Sequence, residues 1–144
     1  AGRRGVAENA ADLAEALSAD LVAANVINER DVSAINSVVA MGYELDSEAY
    51  VKGLIEDRQA KLEEMIQAAA FPKDRLTILF KVGNPVDELL KIILVEKVDL
   101  VVMGSRGTSG LEEFMFGSNA QKLVRHAHCP VMVIRPQDAT FEMP

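Results

Sequence analysis

VDLVVMGSRGTSGLEEFMFGSNAQKLVRHAHCPVMVIRP, residues 98–136, is the stretch on which the fold turns. Leu100 to Met103 is a short apolar run and reads as a buried strand. Gly104, Ser105, Arg106 and Gly107 follow at once, and a longer loop ends at Gly117. Ser118 and Asn119 then open a helical pattern, and Val131 to Ile134 forms a second apolar run. Strand, glycine-rich loop, helix, strand is the order of a βαβ unit with a parallel sheet. Glycine lets a ligand approach the backbone closely, and the first N–H groups of a helix have no partner within it. Such a terminus attracts anions, and phosphate is the natural guest. Taken singly, Gly104 and Gly107 could merely shape a turn and Ser118 could be an ordinary N-cap. Together, after a buried strand, Gly104, Gly107, Gly117 and Ser118 point to phosphate.

The flanking chain sets the context. Its 144 residues are 49% hydrophobic and 26% charged, which suits one globular domain over residues 1–144. No apolar run nears the roughly 20 residues of a membrane span, and no signal-peptide pattern opens the chain. No membrane partner is expected. The net charge of −7, from 15 basic and 22 acidic residues, argues against a nucleic-acid partner bound through phosphate neutralisation. Cys129 is the single cysteine, so no intrachain disulfide forms, and the default compartment is the cytoplasm. His126 and His128 are the two histidines. No other Cys/His cluster supports a metal site, so they read as residues of a helix end.

In chain order, Ala1 to Ser18 has helical spacing, and Asp20 to Ile27 reads as a buried parallel strand. Asn28 to Asp46 shows no clear periodicity and is expected to be a long loop. Asp46-Ser47-Glu48 looks like a helix start, and Ala49 to Ala70 is a charge-rich helical run ended by Phe71-Pro72. Leu76 to Val82 is the next strand. Asn84 reads as an N-cap with Pro85 at the first helical position, leading into a short amphipathic helix over Val86 to Lys97. No repeat or linker interrupts this alternation, which argues for an open α/β sheet with helices on both faces.

The spacing G-x2-G-x9-G-[S/T], standing here as Gly104, Gly107, Gly117 and Ser118, resembles the nucleotide-binding motif of the universal stress protein family. The flanks VMGSRGTSGL and GSNAQKLVRHAHCPVMVIRP resemble it too. The glycines fit neither G-x-x-x-x-G-K-[ST] nor G-x-G-x-x-G. The resemblance implies a mostly parallel five-stranded sheet of order 3-2-1-4-5. Four strands are legible here, so the first, central strand is expected to lie ahead of Ala1. In the family an Asp at the end of that strand contacts the adenosine, and no residue of this chain takes that role. By position, Val26 matches the residue whose backbone meets adenine. Met103, Gly104 and Gly107 match positions around the ribose and phosphates, and Gly117, Ser118 and Asn119 match the phosphate-binding helix start. The implied ligand is ATP, with Mg²⁺.

Arg106, between the first two glycines, is either a phosphate partner or a solvated loop cation. Glu112 and Glu113 could help hold Mg²⁺ or simply be solvated. No triad, Cys-His pair or paired carboxylates emerge from the order of residues, so catalysis, at most slow ATP hydrolysis, is not expected. The resemblance instead implies an ATP-binding switch in stress response or regulation. The alternative is an interaction protein of the same fold that binds no nucleotide. Val131–Arg135 would be an edge strand, and the resemblance implies a homodimer through it.

Overall fold

A computed structural model of the chain describes residues 5–44, 46–104 and 118–135. Helix α1 spans Val6–Ala16 and β1 spans Leu21–Asn28. Two helices follow, α2 at Glu29–Ala40 and α3 at Ser47–Ala69. A 3₁₀ turn at Lys73–Arg75 leads into β2 at Leu76–Gly83, and α4 spans Pro85–Val95. Then come β3 at Val101–Gly104, α5 at Ser118–His126 and β4 at Val131–Ile134.

The helix starts follow their capping residues. Asn84 accepts a hydrogen bond from the Asp87 N–H at 3.1 Å, and Pro85 holds the first turn. Asp46 caps α3 by accepting from the Ala49 N–H at 3.2 Å. The helix ends are less conventional. Ser18 and Lys97 both have φ near +52°, and each directs a pair of bonds back into its helix. Ser18 N–H donates to Glu15 and Ala19 N–H to Ala14, while Lys97 N–H donates to Leu94 and Val98 N–H to Ile93. These are Schellman ends built without glycine.

Strand pairing is parallel throughout. β1 pairs with β2 from Leu21↔Leu76 to Asn28↔Gly83, and β3 pairs with β4 from Val101↔Val131 to Gly104↔Ile134. Among the described residues these make two separate two-stranded sheets. The single five-stranded sheet implied by the resemblance is therefore not formed by them; the α/β class with parallel strands is. Helix α1 packs on both β1 and β3, and α4 packs on β1, β2 and α5. One core cluster joins Ala11 and Ala14 of α1 to Phe71, with Leu21 and Leu76 packed against it. Val86, Ile92 and Ile93 of α4, and Ala120 and Leu123 of α5, are also buried.

Arg75 fastens the start of the first sheet. Its guanidinium donates to the Ala19 carbonyl, lies 3.6 Å from the Asp20 carboxylate and sits 5.6 Å from the centre of the Phe71 ring. The Asp20 side is exposed, so the ion pair contributes little by itself. The backbone bond and the ring contact hold the two strand entries together.

The segment Asn28 to Asp46 departs from expectation. Most of it is helix α2, not a long loop. Asn28 is at once the last residue of β1 and the N-cap of α2, accepting from the Arg30 N–H at 3.0 Å. Glu29 and Asp31 then favour the positive end of the helix. Val32, Ile35 and Val39 recur at helical spacing, but the Ser, Asn and β-branched residues among them weaken the signal.

Candidate functional site

The residues expected to bind nucleotide fall into two groups. Val26 is half-buried in β1 and pairs in register with Lys81 of β2. Met103 and Gly104 are the last two residues of β3, opposite Val133 and Ile134. Ser118 and Asn119 are exposed in the first turn of α5. The first group thus lies on one sheet and the second at the end of the other and the helix after it. Arg106, Gly107 and Gly117 lie outside the described residues, as do Glu112 and Glu113. Ser118 is itself the first helical residue of α5.

The electrostatics of α5 differ from those of the other described helices. α1 carries Glu8 in its first turn, α2 Glu29 and Asp31, α3 Glu48, and α4 Asp87 and Glu88. Each carboxylate answers the positive end of its own helix. α5 has no acidic residue in its first turn, and its charged side chains are Lys122 and Arg125. The N-termini of α2, α3 and α4 are also met by their own Asn or Asp caps. At α4 the closure goes further. A Cβ placed on Gly83 would lie 2.9 Å from Glu88 Cγ, so the Glu88 side chain fills the space at the end of β2. It also holds Lys91 at 3.4 Å. Among the described residues, the start of α5 is the helix end with no carboxylate of its own first turn to answer it.

Asn25 was not singled out by sequence. Its Oδ1 is buried in β1 with no hydrogen-bond partner among the described residues. A buried acceptor left unmade costs about 1–3 kcal/mol. The available signal was an amide within the run LVAANVI, since Asn is depleted from strands. Asn28, which joins β1 to α2, was likewise missed.

The described residues contain no group of three or more His, Cys, Asp or Glu able to hold a metal ion. His126 ends α5 and His128 follows it, while Cys129 is a half-buried free thiol. No described helix is long and apolar enough to cross a membrane. β4 pairs only with β3 among the described residues, and Met132 on it is 41% exposed.

Comparison with known proteins adds lineage to this geometry. The sequence model of the universal stress protein family matches residues 2–135. Universal stress protein MJ0531 of Methanocaldococcus jannaschii is 32% identical over 130 residues, covering 90% of this chain and 72% of that protein. The solved structure of hypothetical protein MJ0577 superposes with a TM-score of 0.68 at 25% identity, covering 91% of this chain and 88% of that one. A universal stress protein solved in complex with cAMP shares the fold, with a TM-score of 0.55 at 21% identity over 90% of this chain and 84% of that one.

Proposed function

Because this chain belongs to the universal stress protein family, we propose that it binds ATP with Mg²⁺ and works as a nucleotide-dependent switch in stress response or regulation. The observation that carries the reading is the start of α5. It follows the Gly104, Gly107, Gly117, Ser118 spacing and, unlike the other described helices, has no carboxylate in its first turn. The backbone N–H groups around Gly117, Ser118 and Asn119 would hold the phosphates. Arg106 would add a cation, Met103, Gly104 and Gly107 would border the ribose, and the Val26 backbone would meet adenine. The bound nucleotide supplies a cluster of negative charge, and Mg²⁺ would arrive with its phosphates. The fold neighbour in complex with cAMP is an example of an adenine nucleotide held on this architecture.

A five-stranded sheet of order 3-2-1-4-5 belongs to the same proposal. β1 and β3 share α1, and each has one edge unpaired among the described residues. A strand between them would pair both edges and bring a partner close to Asn25 Oδ1. It would also join the two halves of the nucleotide site. The reading further places the protein in the cytoplasm and pairs two copies through Val131–Arg135.

A second reading is an interaction protein of this fold that binds no nucleotide. The separating experiment identifies the nucleotide released when the purified full-length protein is denatured, followed by titration with ATP and Mg²⁺. ATP at near-stoichiometric level, or saturable binding, supports the switch. Gly117→Val places a side chain at the helix start and should weaken ATP by at least about tenfold. No bound nucleotide and no titration would leave the interaction protein standing. Turnover of ATP abolished by Arg106→Ala would instead mark a slow ATPase.

A further inference from the structure

Helices α2 and α3 form a hairpin that stands largely outside the core. α2 has no buried residue, and the only one in α3 is Ile66, near its C-terminal end. Twenty-three residues of helix extend about 34 Å; α3 packs on α1 and on α2, and along the α2 side it leaves a face open. Between the two helices runs an open groove of about 540 Å³. Its half-buried residues include Val32, Val51 and Ile55, and its exposed ones include Glu48, Lys52 and Glu56. Val38, Met41, Tyr43 and Tyr50 at the same end of the hairpin are 41%, 78%, 67% and 52% exposed. These are the chain's two tyrosines, and aromatic residues and Met are the types enriched at protein interfaces.

The charge of the hairpin says what fits. Residues 29–60 hold seven acidic side chains against Arg30, Lys52 and Arg58, so they carry −4 of the chain's −7. A second copy would bring two such surfaces together, and like charges across an interface are costly. A helix with an apolar face and basic flanks meets both demands. Its apolar anchors would lie over Val32, Val51 and Ile55, and its Lys or Arg side chains would reach Glu48 and Glu56.

We propose that the α2–α3 groove is the docking site for a basic amphipathic helix of a partner protein. The site is separate from the start of α5 and does not depend on the nucleotide reading. A polar rim around an apolar floor is the usual anatomy of such a groove. The basic flanks of the ligand give it salt-dependent attachment.

The chain has no tryptophan, so its intrinsic emission comes from Tyr43 and Tyr50 and reports on the hairpin itself. The probe is a synthetic helical peptide of about 18 residues with a leucine face and a lysine face and no aromatic residue. A twin with glutamate in place of lysine is the control. Titration of the full chain should give a saturable change in tyrosine emission with the basic peptide and none with the acidic one. Combining Glu48→Lys with Glu56→Lys should weaken the basic peptide by about tenfold or more, and these exposed sites leave the fold intact by circular dichroism. Val51→Asp should weaken it comparably. Absence of a saturable change overturns the proposal, as does undiminished binding in the Glu48→Lys/Glu56→Lys variant. Self-association in sedimentation that Val51→Asp abolishes also overturns it, assigning the groove to a second copy.

Discussion

At the scale of single residues, the unusual feature is that three helices end on left-handed residues that are not glycine. Ser18, Ala70 and Lys97 have φ of 52°, 54° and 52°. A side chain in that region costs energy that glycine avoids. Ala70 closes α3 ahead of Phe71, which is buried in the core. Ala70→Gly should therefore raise stability by about 0.5–1 kcal/mol, the relief being partly offset by a freer unfolded chain. Urea unfolding with an unchanged slope is the measurement. These ends were not legible in the sequence, because the usual mark of a left-handed end is glycine and none stands there. The starts were legible. Asn84-Pro85 and Asp46 have side chains suited to capping, and they cap. Asn28 has the same chemistry but follows its strand without a turn, so nothing around it announces a helix.

At the scale of elements, α2 and α3 show how weakly a helix is written when it buries little. Val86, Ile92 and Ile93 of α4 are buried and gave its pattern a clear period, whereas α2 contributes no buried residue. Its polar and β-branched residues need satisfy only local capping and a shallow packing on α3 and β1. α3 was legible because of its length and its Asp46 cap. Within it Gly53 is exposed, and a Cβ built there meets nothing within 4 Å. Gly53→Ala should stabilise the protein by about 0.5–1 kcal/mol through reduced backbone entropy in the unfolded state. Thermal unfolding would register this as a higher midpoint, and no change would mean that the hairpin opens before the core unfolds. The strands β3 and β4 were read to within a residue, because short apolar runs bounded by Gly104 in one case and by Pro130 and Pro136 in the other leave few alternatives.

At the scale of the whole molecule, the α/β class was legible from alternation, but the joining of the sheet was not. Pairing between β1 and β3 is not a property of either run of residues, and the described strands stay in two pairs. The same holds for the site. Gly104 and Ser118 flank one motif and could be read together, while Val26 belongs to another sheet and was assigned only by family resemblance. The dimer belongs to this scale too. β4 offers an unpaired edge among the described residues, with Met132 exposed on it. Light scattering at micromolar protein should give about twice the 15.6 kDa chain mass, and Met132→Lys should shift it toward the monomer. The division into two strand pairs also carries a kinetic consequence. Leu21 must find Leu76, whereas Val101 must find Val131, a closure little more than half as long. Loop-closure entropy grows only logarithmically, so the longer search costs about 0.5 kcal/mol more. On closure entropy alone the C-terminal pair is the one favoured to form first.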